Sequence, residues 1–267
     1  MIVIKIGGAA GIDIERVCDD IAAIHRSGRT CVLVHGGSDH TNTLSRELGL
    51  EPRFITSPSG HVSRRTDART LEIFQMAVRG LFNQRIVTSL LRRGVNAVGI
   101  SGVDGRTWVG DRKSAIRAVE DGRTVIIRDD YTGTVDVVNT QLIHAVIQSG
   151  SIPVLCPPGL STDGHPINVD ADRAAAATAA ALRAEQLLLL SNVPGVLRAF
   201  PDETSLITSV TRHAIDELME IAEGRMKKKV LGAREALDRG GSRVIIADAR
   251  VDTPVSHALS GIGTVIS

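Results

Sequence analysis

A chain of 267 residues with 43% hydrophobic content can bury a substantial core, as one large α/β domain or as two lobes sharing a sheet. A formal net charge of +1 and an aromatic content of 2% argue against nucleic acid as the main partner, since both a basic field and stacking platforms for bases are missing. Cys18, Cys31 and Cys156 show no CxxC spacing and read as reduced thiols, not as a disulfide frame or zinc site.

No stretch approaches the ~20 apolar residues of a membrane span. The first apolar run is too short for a signal peptide and carries Lys5, so a soluble, cytoplasmic protein is expected. In that run Ile2, Val3, Ile4 and Ile6 read as a buried strand, and Gly7 and Gly8 let the following turn come close to a ligand. Lys5 is anomalous there, because a buried ammonium is costly unless an anion meets it. Either the strand is an edge with a snorkelling lysine, or an anion sits at its end. Ile14, Val17, Ile21 and Ile24 predict a helix over 13–27, closed by Gly28. The strand then repeats at 31–34 and opens into His35, Gly36 and Gly37. Two such strand ends can lie side by side at the carboxyl edge of a parallel sheet, where ligands of open α/β folds bind. A helix over 41–48 would turn its amino terminus, an anion site, toward the second glycine pair.

Residues 51–65 break into prolines, serine and glycine and read as a surface loop or hairpin holding Arg53, Arg64 and Arg65. Asp67 or Thr66 can cap the long helix that follows, leaving Arg64 beside a helix amino terminus where a carboxylate is welcome. That helix carries Leu71, Phe74, Val78, Leu81, Phe82, Ile86, Leu90 and Leu91, with a break expected near Gly80. Its apolar face is long enough for core and subunit contact together, so a homodimer is expected. A strand over 96–100 follows, Asp104-Gly105 signals a hairpin turn, and a second antiparallel excursion is expected over 124–138.

Helix 141–148 and strand 152–156 lead to Pro157 and Pro158. Asn168, Asp170 and Asp172 precede or open an alanine-rich helix over 174–182, and any of them could serve as its cap. A continuous apolar strand over 187–190 ends in the turn Ser191-Asn192-Val193-Pro194-Gly195. After a polar stretch and a helix over 214–222, Lys227, Lys228 and Lys229 open a helix that runs to Leu237. Lysines at a helix amino terminus oppose the macrodipole, so something negative should compensate, and Lys229, next to the apolar Val230, is the strongest candidate. Strands over 243–247 and 263–266 close the chain. Neither a GxxxxGK[ST] P-loop nor a GxGxxG fingerprint is present, which weakens P-loop and Rossmann readings.

Lys5-Ile6-Gly7-Gly8, Val34-His35-Gly36-Gly37, Arg64-Arg65-Thr66-Asp67, Asn168-Val169-Asp170-Ala171-Asp172, Leu190-Ser191-Asn192-Val193-Pro194-Gly195 and Met226-Lys227-Lys228-Lys229-Val230 are each weak signals. In this order they resemble the amino-acid kinase family, and most closely its N-acetylglutamate kinase branch, over essentially the whole chain. The resemblance implies an α/β fold, a three-layer αβα sandwich with a mainly parallel central sheet, with residues 1–182 as the acceptor-binding lobe and 183–267 as the ATP-binding lobe. It further implies phosphoryl transfer from ATP with Mg²⁺ to a side-chain carboxylate. By that resemblance Lys5 and Lys229 neutralise the transferring group and Asp172 positions both. Gly7, Gly8, Gly36 and Gly37 offer N–H groups to phosphates and substrate, and Arg64 and Asn168 bind the acceptor's other carboxylate. Ser191, Asn192, Gly195 and Lys229 serve the nucleotide, and no protein side chain is assigned as a metal ligand.

Within the branch, Pro52-Arg53-Phe54 through Ser57-Pro58-Ser59-Gly60-His61-Val62-Ser63-Arg64, Tyr131-Thr132-Gly133-Thr134-Val135 and Gly224-Arg225-Met226 are similar to the LysW-aminoadipate kinases. Their acceptor is tethered to a small acidic carrier protein, and a tethered substrate needs an open mouth with a basic rim, for which Arg53, Arg65, Arg69, Arg112, Lys113 and Arg117 are candidates. A kinase of free N-acetylglutamate and a non-catalytic nucleotide or amino-acid sensor are the alternatives. The amino-terminal helix associated with arginine-inhibited hexamers of the family finds no room before Met1, so feedback by that route is not expected.

Overall fold

In a computed structural model the chain is described for residues 1–8, 11–58, 60, 62–120, 122–241 and 243–267, with the side chains of Glu120 and Arg225 also left aside. Ser59, His61 and the Arg225 side chain, part of the resemblance to the carrier-dependent kinases, thus lie outside the described residues. The central-sheet strands are β1 (Ile2–Ile6), β2 (Cys31–His35), β3 (Ala97–Ser101), β4 (Ile152–Cys156), β5 (Gln186–Ser191), β6 (Ser209–Val210), β7 (Val244–Asp248) and β8 (Thr264–Ile266). They lie in the order β6-β8-β7-β5-β1-β2-β4-β3, and every neighbouring pair is parallel except β7 with β8.

The strands are continuous apolar runs because both faces are covered. Ile2, Ile4, Ile6 and Leu33 pack on one face with α1 (Ile14–Arg26), α4 (Asn83–Arg92) and α9 (Pro254–Leu259). Val3, Val32, Val34, Leu187 and Leu189 pack on the other with α5 (Thr140–Gln148), α6 (Ala171–Ala181), α7 (Ile215–Ile221) and α8 (Gly224–Asp238). This is the expected three-layer sandwich. The alanines of α6 let it lie close against α8, where a Cβ on Gly232 would sit 3.3 Å from the Asp172 carbonyl oxygen.

Of the two readings of the amino-terminal strand, the edge is excluded: β1 lies between β5 and β2, with Lys5 only 5% exposed. Helix α2 (Ser38–Glu47) starts directly at Gly37, earlier than the apolar spacing indicates. The segment after it is the hairpin Phe54–Thr56 with Val62–Arg64, and Asp67 caps α3 (Ala68–Gln75) through Thr70 N–H. The break near Gly80 is a π-helical stretch, Met76–Phe82, that runs without interruption into α4.

Other expectations fail. Asp104-Gly105 makes a 3₁₀ turn, not a hairpin: β3 before it pairs with β4, whereas Trp108–Gly110 after it joins a separate small sheet. The Asp104 carboxylate bonds back to the Ser101 N–H and hydroxyl, which closes the turn locally. Nor do the arms of 124–138 pair with each other. Arg123–Ile127 pairs with Ile116–Glu120 and Val137–Val138 with Trp108–Gly110, so the stretch bridges two four-stranded sheets. Helix α9 escapes sequence reading because it is six residues long; its first N–H groups are held by the buried Asp20 of α1.

His35, at the end of β2, is fully buried with Phe82 edge-on at 5.0 Å. Burial pushes its pKa down to about 4 against the Gly36 hydrogen bond, with Lys5, His40 and Arg79 adding like-charge pressure. A folded pKa below the unfolded value near 6.5 gives stability that is complete above pH 6.5 and drains away as pH falls toward 4. Urea unfolding of the wild type should therefore lose roughly 3 kcal/mol more between pH 7.5 and pH 4 than that of His35→Asn. Parallel pH profiles for the two proteins would contradict this.

Candidate active site

The carboxyl ends of β1, β2 and β5 open into one cleft of about 830 Å³, in the size range of small-molecule sites. Its floor carries an ionic triad. Lys5, from β1, places Nζ 2.7 Å from Asp172 Oδ1. Lys229, from the second turn of α8, donates to both Asp172 oxygens at 3.2 and 3.0 Å. Asp172 itself sits in the first turn of α6, where the helix dipole also favours a carboxylate. All three residues are under 10% exposed.

Burial disfavours the ionised Asp172, but Lys229 and Lys5 outweigh it and hold the carboxyl well below its usual range. Lys229 is pushed below its usual value, first by burial and then by Lys5, with Asp172 opposing. Two ammonium groups thus share one carboxylate, a local excess of positive charge that invites an anion from the cleft. Asp170, just ahead of the helix, acts otherwise and caps α6, accepting from the N–H groups of Asp172 and Arg173. Arg173 in turn pairs with Glu235 of α8, so the helices bearing Asp172 and Lys229 are tied together beside the triad.

The glycine turns face each other across the cleft wall. A Cβ on Gly8 would come within 2.7 Å of Gly37 N, and one on Gly37 within 2.7 Å of Val78, so neither position has space for a side chain. The Gly8 carbonyl accepts from Asp39 N–H in the first turn of α2. Gly7, Gly36 and Ser38 also line the cleft, which makes this wall a run of backbone beside a helix amino terminus.

Arg64 reaches the same corner. Its guanidinium bonds to the Ser38 carbonyl at 3.0 Å and to Asn42 at 2.6 Å, beside the start of α2 rather than of α3. Asn168 donates to Thr66 at 2.9 Å and lines the cleft opposite. Ser191, Asn192 and Gly195, at the end of β5, border its other end together with Leu197 to Phe200, and Phe200 is 75% exposed at the mouth. Every residue that the resemblance assigns to catalysis, phosphate, acceptor or nucleotide therefore lines one cleft, whereas the six basic-rim candidates lie outside its lining.

Of the proposed basic rim, half is engaged within the fold. Arg65 pairs with Asp129 and Asp130, Arg69 pairs with Glu72, and Arg112 stacks 4.0 Å over Tyr131 while donating to the Asp130 carbonyl. Arg53, Lys113 and Arg117 are exposed. Sequence reading missed Ser38 and Ser63 as lining residues and Lys228, which sits 3.8 Å from Asp170. Among the described residues no group of three or more His, Cys, Asp or Glu side chains is placed to hold a metal ion, and no helix is long and apolar enough to cross a membrane. The cysteines are free and buried.

Removing the shared anion tests the triad. Asp172→Asn leaves two buried ammonium groups facing each other and should destabilise the fold by about 3–5 kcal/mol at pH 7. The lysines then deprotonate more readily than in the unfolded chain, so the variant should recover stability as pH rises toward 10. A variant as stable as wild type at pH 7, with no alkaline recovery, would show that the triad is not under electrostatic strain.

The sequence model of the amino acid kinase family matches residues 1–248. The chain is 54% identical over 267 residues to LysW-aminoadipate kinase of Deinococcus radiodurans, covering all of this chain and 91% of that one. It is 50% identical over 268 residues to LysW-aminoadipate kinase of Thermus thermophilus, covering all of both. A solved structure of carbamate kinase from Giardia lamblia bound to AMP-PNP superposes with a TM-score of 0.68 at 17% identity, over 99% of this chain and 97% of that one, and shares the fold. With the family matched over seven of the eight central strands, the glycine turns and the triad alike, the chain belongs to the amino acid kinase family.

Proposed function

We propose that the protein transfers the γ-phosphoryl group of MgATP to the side-chain carboxylate of an amino-blocked acidic amino acid, giving an acyl phosphate. The acceptor that fits best is 2-aminoadipate linked through its amino group to a small acidic carrier protein of the LysW type, a step of lysine biosynthesis. The observation that carries the reading is the triad: two buried cations share one anion in a cleft walled by backbone glycines. Full-length identity of 50% and above to proteins named LysW-aminoadipate kinase supports the choice of acceptor.

The chemistry asks little of a general base. A carboxylate with a pKa of about 4 is already ionised at pH 7 and can attack directly. The obstacle is its repulsion from the γ-phosphate. Lys5 and Lys229 would neutralise charge spread over the transferring group's equatorial oxygens, while Asp172 holds both ammonium groups. N–H groups of Gly7, Gly8, Gly36 and Gly37 receive phosphate oxygens. Arg64 and Asn168 take the acceptor's non-reacting carboxylate and hold the reacting one in line. Ser191, Asn192 and Gly195 take the nucleoside end with Lys229. Residues 1–182 serve the acceptor and residues 183–267 the nucleotide. Magnesium would enter with the nucleotide, and no side chain among the described residues is assigned to hold it.

Arg53, Lys113 and Arg117, exposed on the amino-side half, offer the carrier a basic rim, and one methylene between aminoadipate and glutamate changes binding by only about 1–3 kcal/mol. We place the enzyme in the cytoplasm as a homodimer. Met76, Leu81 and Leu91 are exposed along the long helix, and Val98 on edge strand β3, which gives a second copy an apolar face to cover.

ADP release should be fastest with carrier-linked aminoadipate, slower with carrier-linked glutamate and slowest with free N-acetylglutamate. Reversal of that order would make the protein an acetylglutamate kinase, and ATP binding without turnover of any would make it a sensor. Lys229→Ala should lower kcat by about three orders of magnitude with the fold intact. Turnover near the wild-type rate would remove Lys229 from the reaction. Charge reversal at Arg53 and Lys113 together should weaken the carrier-linked acceptor at least about tenfold more than ATP, and equal weakening of both would refute the rim.

A further inference from the structure

The second glycine pair is held from behind by a side chain that no step above employs. The His35 ring bridges two groups: Nδ1 lies 2.6 Å from the Gly36 carbonyl oxygen, and Nε2 lies 2.9 Å from Asn83 Nδ2. A carbonyl oxygen only accepts, so that contact requires the proton on Nδ1. The far side of the ring demands the same. The Asn83 amide is oriented independently of the histidine, since its Nδ2 donates to the Val154 carbonyl at 2.9 Å and its Oδ1 accepts from Arg79 at 3.2 Å. Its second N–H therefore points at Nε2, which must accept. Both partners select one tautomer.

Peptide geometry carries the consequence into the cleft. The Gly36 carbonyl and the Gly37 N–H belong to one trans peptide plane and point in opposite directions. Holding the carbonyl against a fully buried ring aims the N–H away from it. Gly37 lines the cleft, whereas His35 does not. The same residue is the N-cap of α2 and, having no side chain, brings no competing cap to its own helix. A donor so placed adds to the positive end of α2.

We propose that His35 is a positioning residue for phosphoryl transfer: its Nδ1–H tautomer, set by Asn83, locks the Gly36–Gly37 peptide with the Gly37 N–H aimed at the transferring group. The proposal rests on the phosphoryl-transfer reading above and extends it inward, to a relay from Arg79 through Asn83 and His35 to the glycine turn. Arg79 is itself anchored on the Gly99 carbonyl of β3 at 3.1 Å and on Asp104 at 3.3 Å. Keeping the ring neutral matters, because a proton on Nε2 would set two donors against each other at Asn83.

Nuclear magnetic resonance on the ¹⁵N-labelled full chain tests the tautomer without any variant. His35 should show a protonated Nδ1 and an unprotonated Nε2, and the opposite assignment would overturn the proposal. Inorganic tripolyphosphate with magnesium should shift the Gly37 amide resonance in the wild type. In His35→Leu that shift should vanish and kcat should fall by about a hundredfold, with the acceptor KM within about threefold. His35→Asn, whose amide nitrogen can stand in for Nδ1, should restore kcat to within about tenfold of wild type. A merely space-filling histidine would change the melting temperature in both variants and leave the Gly37 shift in place, which would overturn the proposal. If the wild type shows neither a tripolyphosphate shift at Gly37 nor turnover, the phosphoryl-transfer reading fails instead.

Discussion

Burying two ammonium groups against one carboxylate is the constraint around which this molecule is built. Lys5 and Lys229 cannot both lose their water without an anion between them, and Asp172 neutralises only one charge. Every neighbouring element answers that deficit. Strand β1 must be central and short, so that Lys5 emerges at its carboxyl end. Helix α6 must begin at that level, so that its first turn supplies Asp172. Helix α8 must pack closely enough on α6 for Lys229 to reach across, which the alanine surface and Gly232 allow. The Arg173–Glu235 pair then ties the two helices just outside the triad. Under the proposed function a polyphosphate would be the missing counter-charge, and a site short of negative charge would bind the substrate's anion as part of its own electrostatics.

The glycine turns follow from the same geometry. An anion drawn to the lysines must also be met from the amino-side wall, and side chains there would hold it away. A Cβ on Gly8 is excluded by the Gly37 backbone and one on Gly37 by Val78, leaving N–H groups and the start of α2 as the surface this wall offers a ligand. Lysines supply charge without direction. Peptide groups supply direction with little charge, but only when something buried fixes their planes. His35 and Asn83 fill that need from inside the core, so the precision of the cleft wall is set by residues that never touch it.

How far this was legible in the sequence depends on the range over which each signal acts. Lys5 was readable because a lysine inside an Ile-Val-Ile run is a local contradiction; only the central place of β1 in the sheet then decides between an edge strand and an anion. Asp170 and Asp172 were not separable by spacing, since both lie just ahead of the alanine run and either side chain could cap; only the start of α6 at Ala171 decides that Asp170 caps and Asp172 faces the lysines. The turn at Asp104-Gly105 was misread because turn chemistry fixes a local bend, not which sheet the next strand joins. Trp108 is drawn off to a second sheet by burial of its ring, with its N–H on Thr178. The role of His35 lies beyond any sequence pattern, because it depends on Asn83, 48 positions away, and on Val154 of another strand.

The rim of the cleft is where the choice among acceptors becomes physical. A free acetylated amino acid gains from a closed pocket, because enclosure recovers the binding energy of its small blocking group. A tethered acceptor gains nothing from enclosure, since its blocking group is a chain that must leave the site, and it recovers affinity from the carrier's own surface instead. Here the amino-side rim divides its cations accordingly. Arg65 and Arg112 are tied into the fold by Asp129, Asp130 and Tyr131, where they brace the turn that presents Asn168. Arg53, Lys113 and Arg117 stay exposed, which costs the fold little and leaves their charge available to an acidic surface approaching from outside. One set of basic residues is engaged within the fold and the other faces the solution, a division of labour that suits the proposed delivery of the substrate on a protein.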